Sequence, residues 1–365
     1  MGRIWVRSLL SVVLGIAAVL IGWRVLAPAE VLAPAKGPAP PVVARSPGPT
    51  GSTAEAPLIV DGRVRVFAAK REVRADGPLD LKTAYTPRWS FRRWPQELSG
   101  VLAAGRTVVT RWSDGELIAL DGLKGRIVWR VAGPPAPAYA GHRTGAATVW
   151  APAGFHLAGE SVLVTSGSGL WAYAVASGTR LWTTTMPAGC TDGFTTAGGA
   201  YVCSASALDT ATGKPIASWP HGPSTPLDCA VAASGCQALR DAAGHGWLVD
   251  HAVPARLPAL DPPGTAFAAG MAIHPPPGEQ VLGAWQGHVL LLSRGCDLRE
   301  TDPRSGATIA EFPLKVGTDQ LGWTLGRYQI AAGYLAIERL RTGGPKNPDA
   351  PDYYFTQDTV ILAAV

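Results

Sequence analysis

Short apolar runs bounded by turn residues recur along the chain from residue 115 onward. In residues 115–129, G-E-L-I-A-L-D-G-L-K-G-R-I-V-W, Leu117, Ala119 and Leu120 sit between Gly115 and Asp121. This pattern predicts a strand. Residues 121–125 then supply turn chemistry: an acidic side chain to bond nearby backbone N–H groups, and glycines that tolerate positive φ. Residues 126–129 resume a β-prone run. Aligning on the second glycine shows the same offsets elsewhere. Leu170, Ala172, Tyr173, Gly178 and Trp182 form one copy, and Ala207, Leu208, Asp209, Gly213 and Trp219 form another. Leu298, Asp302, Gly306 and Phe312 form a third, and Ala238, Leu239, Asp241, Gly244 and Trp247 a shortened one. The distance between copies is irregular, so the units share a core and differ in their loops.

An isolated hairpin is marginal in water and cannot bury its aromatic residue. A repeat of roughly 30–60 residues, with two or more strands in each unit, stacks radially and buries that aromatic against the next sheet. The expectation is an all-β propeller of six to eight blades, seven preferred. Its blades run over 99–131, 152–186, 191–220, 226–250 and 281–314, with a composite last blade. The strand around Trp89 would be that blade's outer strand, and 334–340 and 359–365 its inner ones, so the termini would close the ring. Prolines in 251–280 exclude a central strand there and predict an insertion or a decayed blade. Residues 133–152 and 342–352 are long enough as loops to carry function.

The consensus A-L-D-x-x-T-G-x-x-x-W resembles the pyrroloquinoline-quinone-like (PQQ-like) repeat of quinoprotein dehydrogenases and BamB-type assembly factors. The best copies are 115–129, 168–182 and 203–219, and the resemblance covers roughly residues 86–365. It implies the propeller fold and leaves the activity open.

The N-terminus has a different pattern. Residues 8–23 carry no charge, and Arg3, Arg7 and Arg24 flank them. A span wants about 20 apolar residues. We expect residues 1–7 in the cytoplasm and 8–26 as an uncleaved transmembrane anchor; the alternative is a signal peptide cut near Ala27 and Ala29. Either reading exports the rest. Residues 27–57, rich in Pro, Ala, Gly and Ser, predict a disordered tether, with the propeller domain over 58–365.

The chain has 365 residues, 47% of them hydrophobic and 16% charged, which fits an ordered core. The net charge of +5 comes mainly from 25 scattered arginines, without a basic stripe interleaved with aromatics, so nucleic acid is not an expected partner. Five cysteines contain no C-x-x-C pair. In an exported domain the local pairs Cys190 with Cys203 and Cys229 with Cys236 are disulfide candidates, each within one blade. Cys296 remains as a buried thiol.

A quinoprotein dehydrogenase of the resembling family implies a carboxylate base, calcium ligands and often adjacent cysteines, and this chain has no adjacent pair. Asp121, Asp209 and Asp302 fall in the repeat turns and are assigned to backbone bonding, with Gly125, Gly178, Gly213 and Gly306 as turn glycines. Trp129, Trp182, Trp219 and Trp247 are assigned to the blade cores. No histidine spacing matches a metal motif, and the S-G-S-G run at 166–169 precedes a strand where a nucleophile elbow needs a helix to follow. The function expected is a membrane-tethered, extracytoplasmic, monomeric propeller that binds a protein or peptide of the cell envelope and catalyses nothing. No catalytic residue, metal or cofactor is expected. A PQQ-dependent oxidoreductase is the first alternative and a glycan-binding propeller the second.

Overall fold

A computed structural model describes residues 12–16, 29–43, 45–78, 85–217, 219–220, 222–230, 233–315, 322–354 and 359–365. Seven antiparallel sheets of three to five strands follow one another around an axis, a seven-bladed propeller. The first strands of blades 1, 2, 3 and 4 touch in succession, as do those of blades 6, 7 and 1. The first strand of each blade therefore lines the axis and the last faces outward.

Blade 1 is built from Leu58–Val60, Val64–Ala69, Glu72–Asp76 and Pro87–Arg93. Blade 2 is built from Leu98–Ala104, Thr107–Trp112, Glu116–Asp121 and Ile127–Ala132. Blade 3 runs from Phe155–Ala158 to Arg180–Thr185, and the three-stranded blade 4 from Phe194–Thr195 to Ser206–Asp209. Blade 5 runs from Thr225–Leu227 to Ala255–Arg256, and blade 6 from Glu279–Trp285 to Thr308–Pro313. Middle strands are sandwiched between neighbouring blades, so both their faces are apolar: Leu117, Ile118, Ala119 and Leu120 are all fully buried. Outer strands alternate, as in Arg180–Thr185 and Thr308–Pro313, because one face meets water.

Between blades 5 and 6 the chain forms a 3₁₀ turn, Pro258–Leu260, and a two-stranded hairpin, Ala266–Ala268 with Met271–Ile273. Phe267 packs toward blade 5 with Ala238 and Leu260, while Ala268 packs toward blade 6 with Val289 and Leu291. The hairpin thus stands in the ring as a two-stranded sector.

Three expectations for the N-terminal region are corrected. Residues 27–57 are not a featureless tether. Glu30–Ala33 adds a fifth strand to the outer edge of blade 1, pairing Glu30 with Arg93 through Ala33 with Ser90. Gly48–Thr53 pairs with Val360–Ala364. Composition misled because an edge strand is held by backbone hydrogen bonds and needs little side-chain burial; Pro49 is tolerated because the register shifts between it and Gly51. Second, the Trp89 strand is not part of the last blade. It completes blade 1, whose inner hairpin turns at Asp61 and Gly62, both with positive φ. Third, the propeller therefore begins well before residue 58.

The last blade, blade 7, is composite. Its strands are Trp323–Ala331, Tyr334–Arg341 and Val360–Ala364, and its outer strand is Gly48–Thr53 from the other end of the chain. Most of the expected anchor, 8–26, lies outside the described residues; 12–16 are helical. Among the described residues no helix is long and apolar enough to cross a membrane, so the anchor is not established.

Candidate functional site

The repeat residues form a relay between blades. Trp89 Nε1 donates to Gly122 O at 2.7 Å, Trp129 Nε1 to Val175 O at 2.7 Å, and Trp182 Nε1 to Thr210 O at 2.9 Å. In each case the acceptor lies three residues before the turn glycine of the following blade, and the indole ring lies against that glycine: Trp89 on Gly125, Trp129 on Gly178, Trp182 on Gly213. A Cβ at Gly178 would stand 2.5 Å from the Trp129 ring. The aspartates close the turns. Asp121 Oδ1 accepts from the N–H of Leu123 and Lys124, Asp209 Oδ1 from Ala211 and Thr212, and Asp302 Oδ1 from Arg304 and Ser305. The relay stops at blade 5, whose turn is a residue shorter. Trp219 Nε1 is buried with no partner there, nothing packs on Gly244, and Trp247 Nε1 donates to Asp241 of its own blade. These residues build the ring and leave the site to the segments outside the repeat.

The two long loops converge. Residues 133–154 leave blade 2 and cross over blade 1, where Ala146, Val149 and Trp150 join the core of blades 1 and 2. One helical turn, Ala146–Val149, is followed by Trp150, whose Nε1 donates to Pro57 O at 2.9 Å. From there the loop reaches the 342–354 loop of blade 7. His142 Nδ1 lies 2.6 Å from Asp349 Oδ1, and Arg143 Nη1 donates to Pro351 O at 2.5 Å. Thr144 Oγ1 donates to the buried carboxylate of Glu338, whose second oxygen accepts from Arg327 N at 3.1 Å. Tyr354 bridges to Leu340 and is buried, which pushes its phenol pKa up. The two loops therefore form one structure.

The end of the insertion also reaches an axial cavity of about 530 Å³. Trp150 and Ala151 of the insertion line it, with the first strands of blades 5, 6 and 7 and the hairpin residues Ala266 and Phe267. Asp228 follows the first strand of blade 5 in a left-handed conformation, φ 50°, a geometry Asp adopts more readily than most residues. Burial pushes its carboxyl up to about 6. Tyr328 on the first strand of blade 7 is raised as well, by burial and then by the charge of Asp228, which places the two groups within electrostatic reach. Gln329 is committed elsewhere, its Oε1 accepting from Ile59 N at 3.5 Å.

A second cavity of about 410 Å³ lies on the side of blades 3 and 4. His156 Nε2 is 2.8 Å from Asp192 Oδ1. Burial works to raise the Asp192 pKa, but His156 and the backbone N–H groups of Gly154 and Gly193 outweigh it and hold it low. Arg111 is 1% exposed and donates to the carbonyls of Gly154, Pro135 and Thr165. Its burial lowers the guanidinium to about 10. Arg111 ties the loop after blade 2, through Pro135 and Gly154, to the second strand of blade 3 at Thr165.

Cys190 is joined to Cys203 and Cys229 to Cys236, and Cys296 is a buried free thiol. The second disulfide braces the turn that carries Asp228. Asp228, Tyr328, Arg111 and the His156–Asp192 pair were not singled out from sequence. They carry no motif, and only the ring brings 228 beside 328. Calcium and a quinone fit this lining poorly. The axial cavity offers one carboxylate and one uncommitted glutamine amide, Gln237, and the neighbouring cysteines are seven residues apart. Among the described residues no group of three His, Cys, Asp or Glu side chains could hold a metal ion.

The family model of the outer membrane protein assembly factor BamB matches residues 23–218. No curated protein matches the chain in sequence. Among solved structures it is similar to BamB from Moraxella catarrhalis, with 13% identity, 88% of this chain and 100% of that one covered, and a TM-score of 0.44. The designed protein Ika8 matches with 11% identity over 83% of this chain and 81% of its own, TM-score 0.39. The C-terminal WD40 domain of Sif2 matches with 11% identity over 80% and 81%, TM-score 0.40.

Proposed function

Because the chain belongs to the family of the outer membrane protein assembly factor BamB, we propose that it is a non-catalytic scaffold that docks a protein or peptide of the cell envelope. The observation that carries this reading is the convergence of its two long loops, 133–154 and 342–354, into one structure. Loops held by a rigid ring are where binding surfaces are built. The N-terminal segment holds the ring at the membrane on the extracytoplasmic side. Support for that placement comes from the uncharged run at 8–23, its arginine flanks and the two disulfides, which persist in oxidising compartments.

Photo-crosslinking in cells tests the proposal. A photoreactive residue replaces Lys346 in the joined loops of the full-length protein, and Arg304 in the blade 6 turn serves as the control position. One reproducible envelope protein captured at 346 and absent at 304 is the expected result. Capture that is equal at both positions, or absent at both, overturns the scaffold.

A further inference from the structure

The axial cavity has a charge balance that the ring does not explain. Among the described residues that line it, Asp228 is the one carboxylate and Arg327 the one cation. Arg327 does not neutralise it. Its side chain is exposed, its charge acts on the phenol of Tyr354, and burial alone accounts for the shift of Asp228. Among the described residues, the faces packed around Asp228 bring no other ionised partner. Blade 6 contributes Val281, Leu282 and the backbone of Gly283 and Ala284, the hairpin contributes Ala266 and Phe267, and the insertion contributes Trp150 and Ala151. Blade 7 adds Tyr328, a neutral phenol. Asp228 is therefore an anion held in a largely apolar cavity by a turn that the Cys229–Cys236 disulfide braces. Even a half-buried carboxylate without a cation is costly, and the protein keeps one in this cavity.

We propose that this cavity receives the lysine side chain of a partner segment, its ammonium paired with Asp228 and its methylene stem laid along Leu227, Phe267 and Ile330. The inference rests on the scaffold reading and names the chemistry of its partner. An ammonium on an aliphatic stem matches both features of the cavity, one anion and apolar walls. The volume is ample for one such side chain, since ligand pockets run from about 300 to 1,000 Å³. Tyr328 lines the same cavity within electrostatic reach of Asp228, and its phenol oxygen is a further acceptor available to an ammonium there.

The test is calorimetric titration of the purified full-length chain with three probes: acetyl-Gly-Lys-Gly-amide, its norleucine counterpart and n-butylammonium. At pH 7.5 the lysine peptide is expected to bind at least tenfold more tightly than the norleucine peptide. Asp228→Asn should remove that preference. Asparagine also tolerates positive φ, so the turn should survive, which a thermal melt checks. The wild-type chain supplies an independent readout. Its affinity for the lysine peptide should fall about tenfold per pH unit once the pH drops below the Asp228 pKa near 6. Equal binding of the lysine and norleucine peptides, a preference that survives in Asp228→Asn, or no binding at all overturns the proposal. Binding of n-butylammonium with exclusion of the peptide also overturns it, because the site then takes a free amine. These outcomes are separate from the crosslinking result. A partner captured at 346 whose capture does not change in Asp228→Asn leaves the scaffold standing and removes the lysine.

Discussion

At the residue scale, the tryptophan of one blade and the glycine of the next act as a single unit. Trp129 gives its N–H to Val175 and its ring to Gly178. Glycine is required at 178 for two reasons, a φ of 70° and the indole surface against it. At Gly306 only the first applies: φ is 73° and an added methyl would meet nothing within 4 Å. Gly306→Ala should therefore cost only the left-handed strain, about 1 kcal/mol. Gly178→Ala should cost about 3 kcal/mol, because the ring must also shift in a packed interface. Chemical denaturation of both variants checks the difference, and equal losses would show that the ring contact is easily relaxed. Turn glycines and tryptophans were legible from spacing. That each pair spans two blades was expected in outline, but which blades failed to couple was not. The missing residue in the blade 5 turn shows its effect only when Trp219 is seen without an acceptor.

At the scale of the element, the strand Glu30–Ala33 is tied to the ring by two arginines, Arg93 and Arg130, each 3.0 Å from the Glu30 carboxylate. Arg93 is 6% exposed, and its guanidinium meets Glu30 at 3.0 Å, Asp114 at 2.9 Å and Glu116 at 2.8 Å. Burial works to raise the Glu30 pKa, but Arg130 and Arg93 outweigh it and hold the carboxyl below its usual range. A carboxyl held low in the folded state stabilises the docked strand above its ordinary pKa. The stabilisation is lost as the pH falls through the lowered value. Arg93→Ala should thus undock the strand, raising amide hydrogen exchange in 31–33 at least tenfold at neutral pH. The unaltered protein should loosen the same strand in acid. Protection unchanged in the variant would mean that backbone pairing alone suffices. Sequence could not show this strand. Its partner, Pro87–Arg93, lies some sixty residues away, and E-V-L-A has no distinctive pattern amid the prolines.

For the whole molecule, closure depends on the two ends. Gly48–Thr53 covers the edge of Val360–Ala364, so the last blade is complete only when residues from near the N-terminus are present. Removing residues 1–53 should expose a strand of five buried residues, V-I-L-A-A, as an open edge. Lower thermal stability and association between copies are the expected results, read by melting and by light scattering after size exclusion. A truncated chain that stays monomeric and melts at the same temperature would return this segment to the role of a spacer.

Sequence by itself determined the class of fold. Short apolar runs, turn aspartates and glycines, and a late aromatic are local signals, each set by the backbone geometry of a few neighbouring residues. It also separated the loops at 133–152 and 342–352 from the repeat, because they interrupt that local pattern. Tertiary structure alone decided which strands fill the edges of blades 1 and 7, since edge pairing uses backbone groups that every residue carries. It alone placed His142 beside Asp349 and Asp228 beside Tyr328. A ring makes neighbours of residues a hundred or more positions apart, and the chemistry of its axis exists only once the circle is closed.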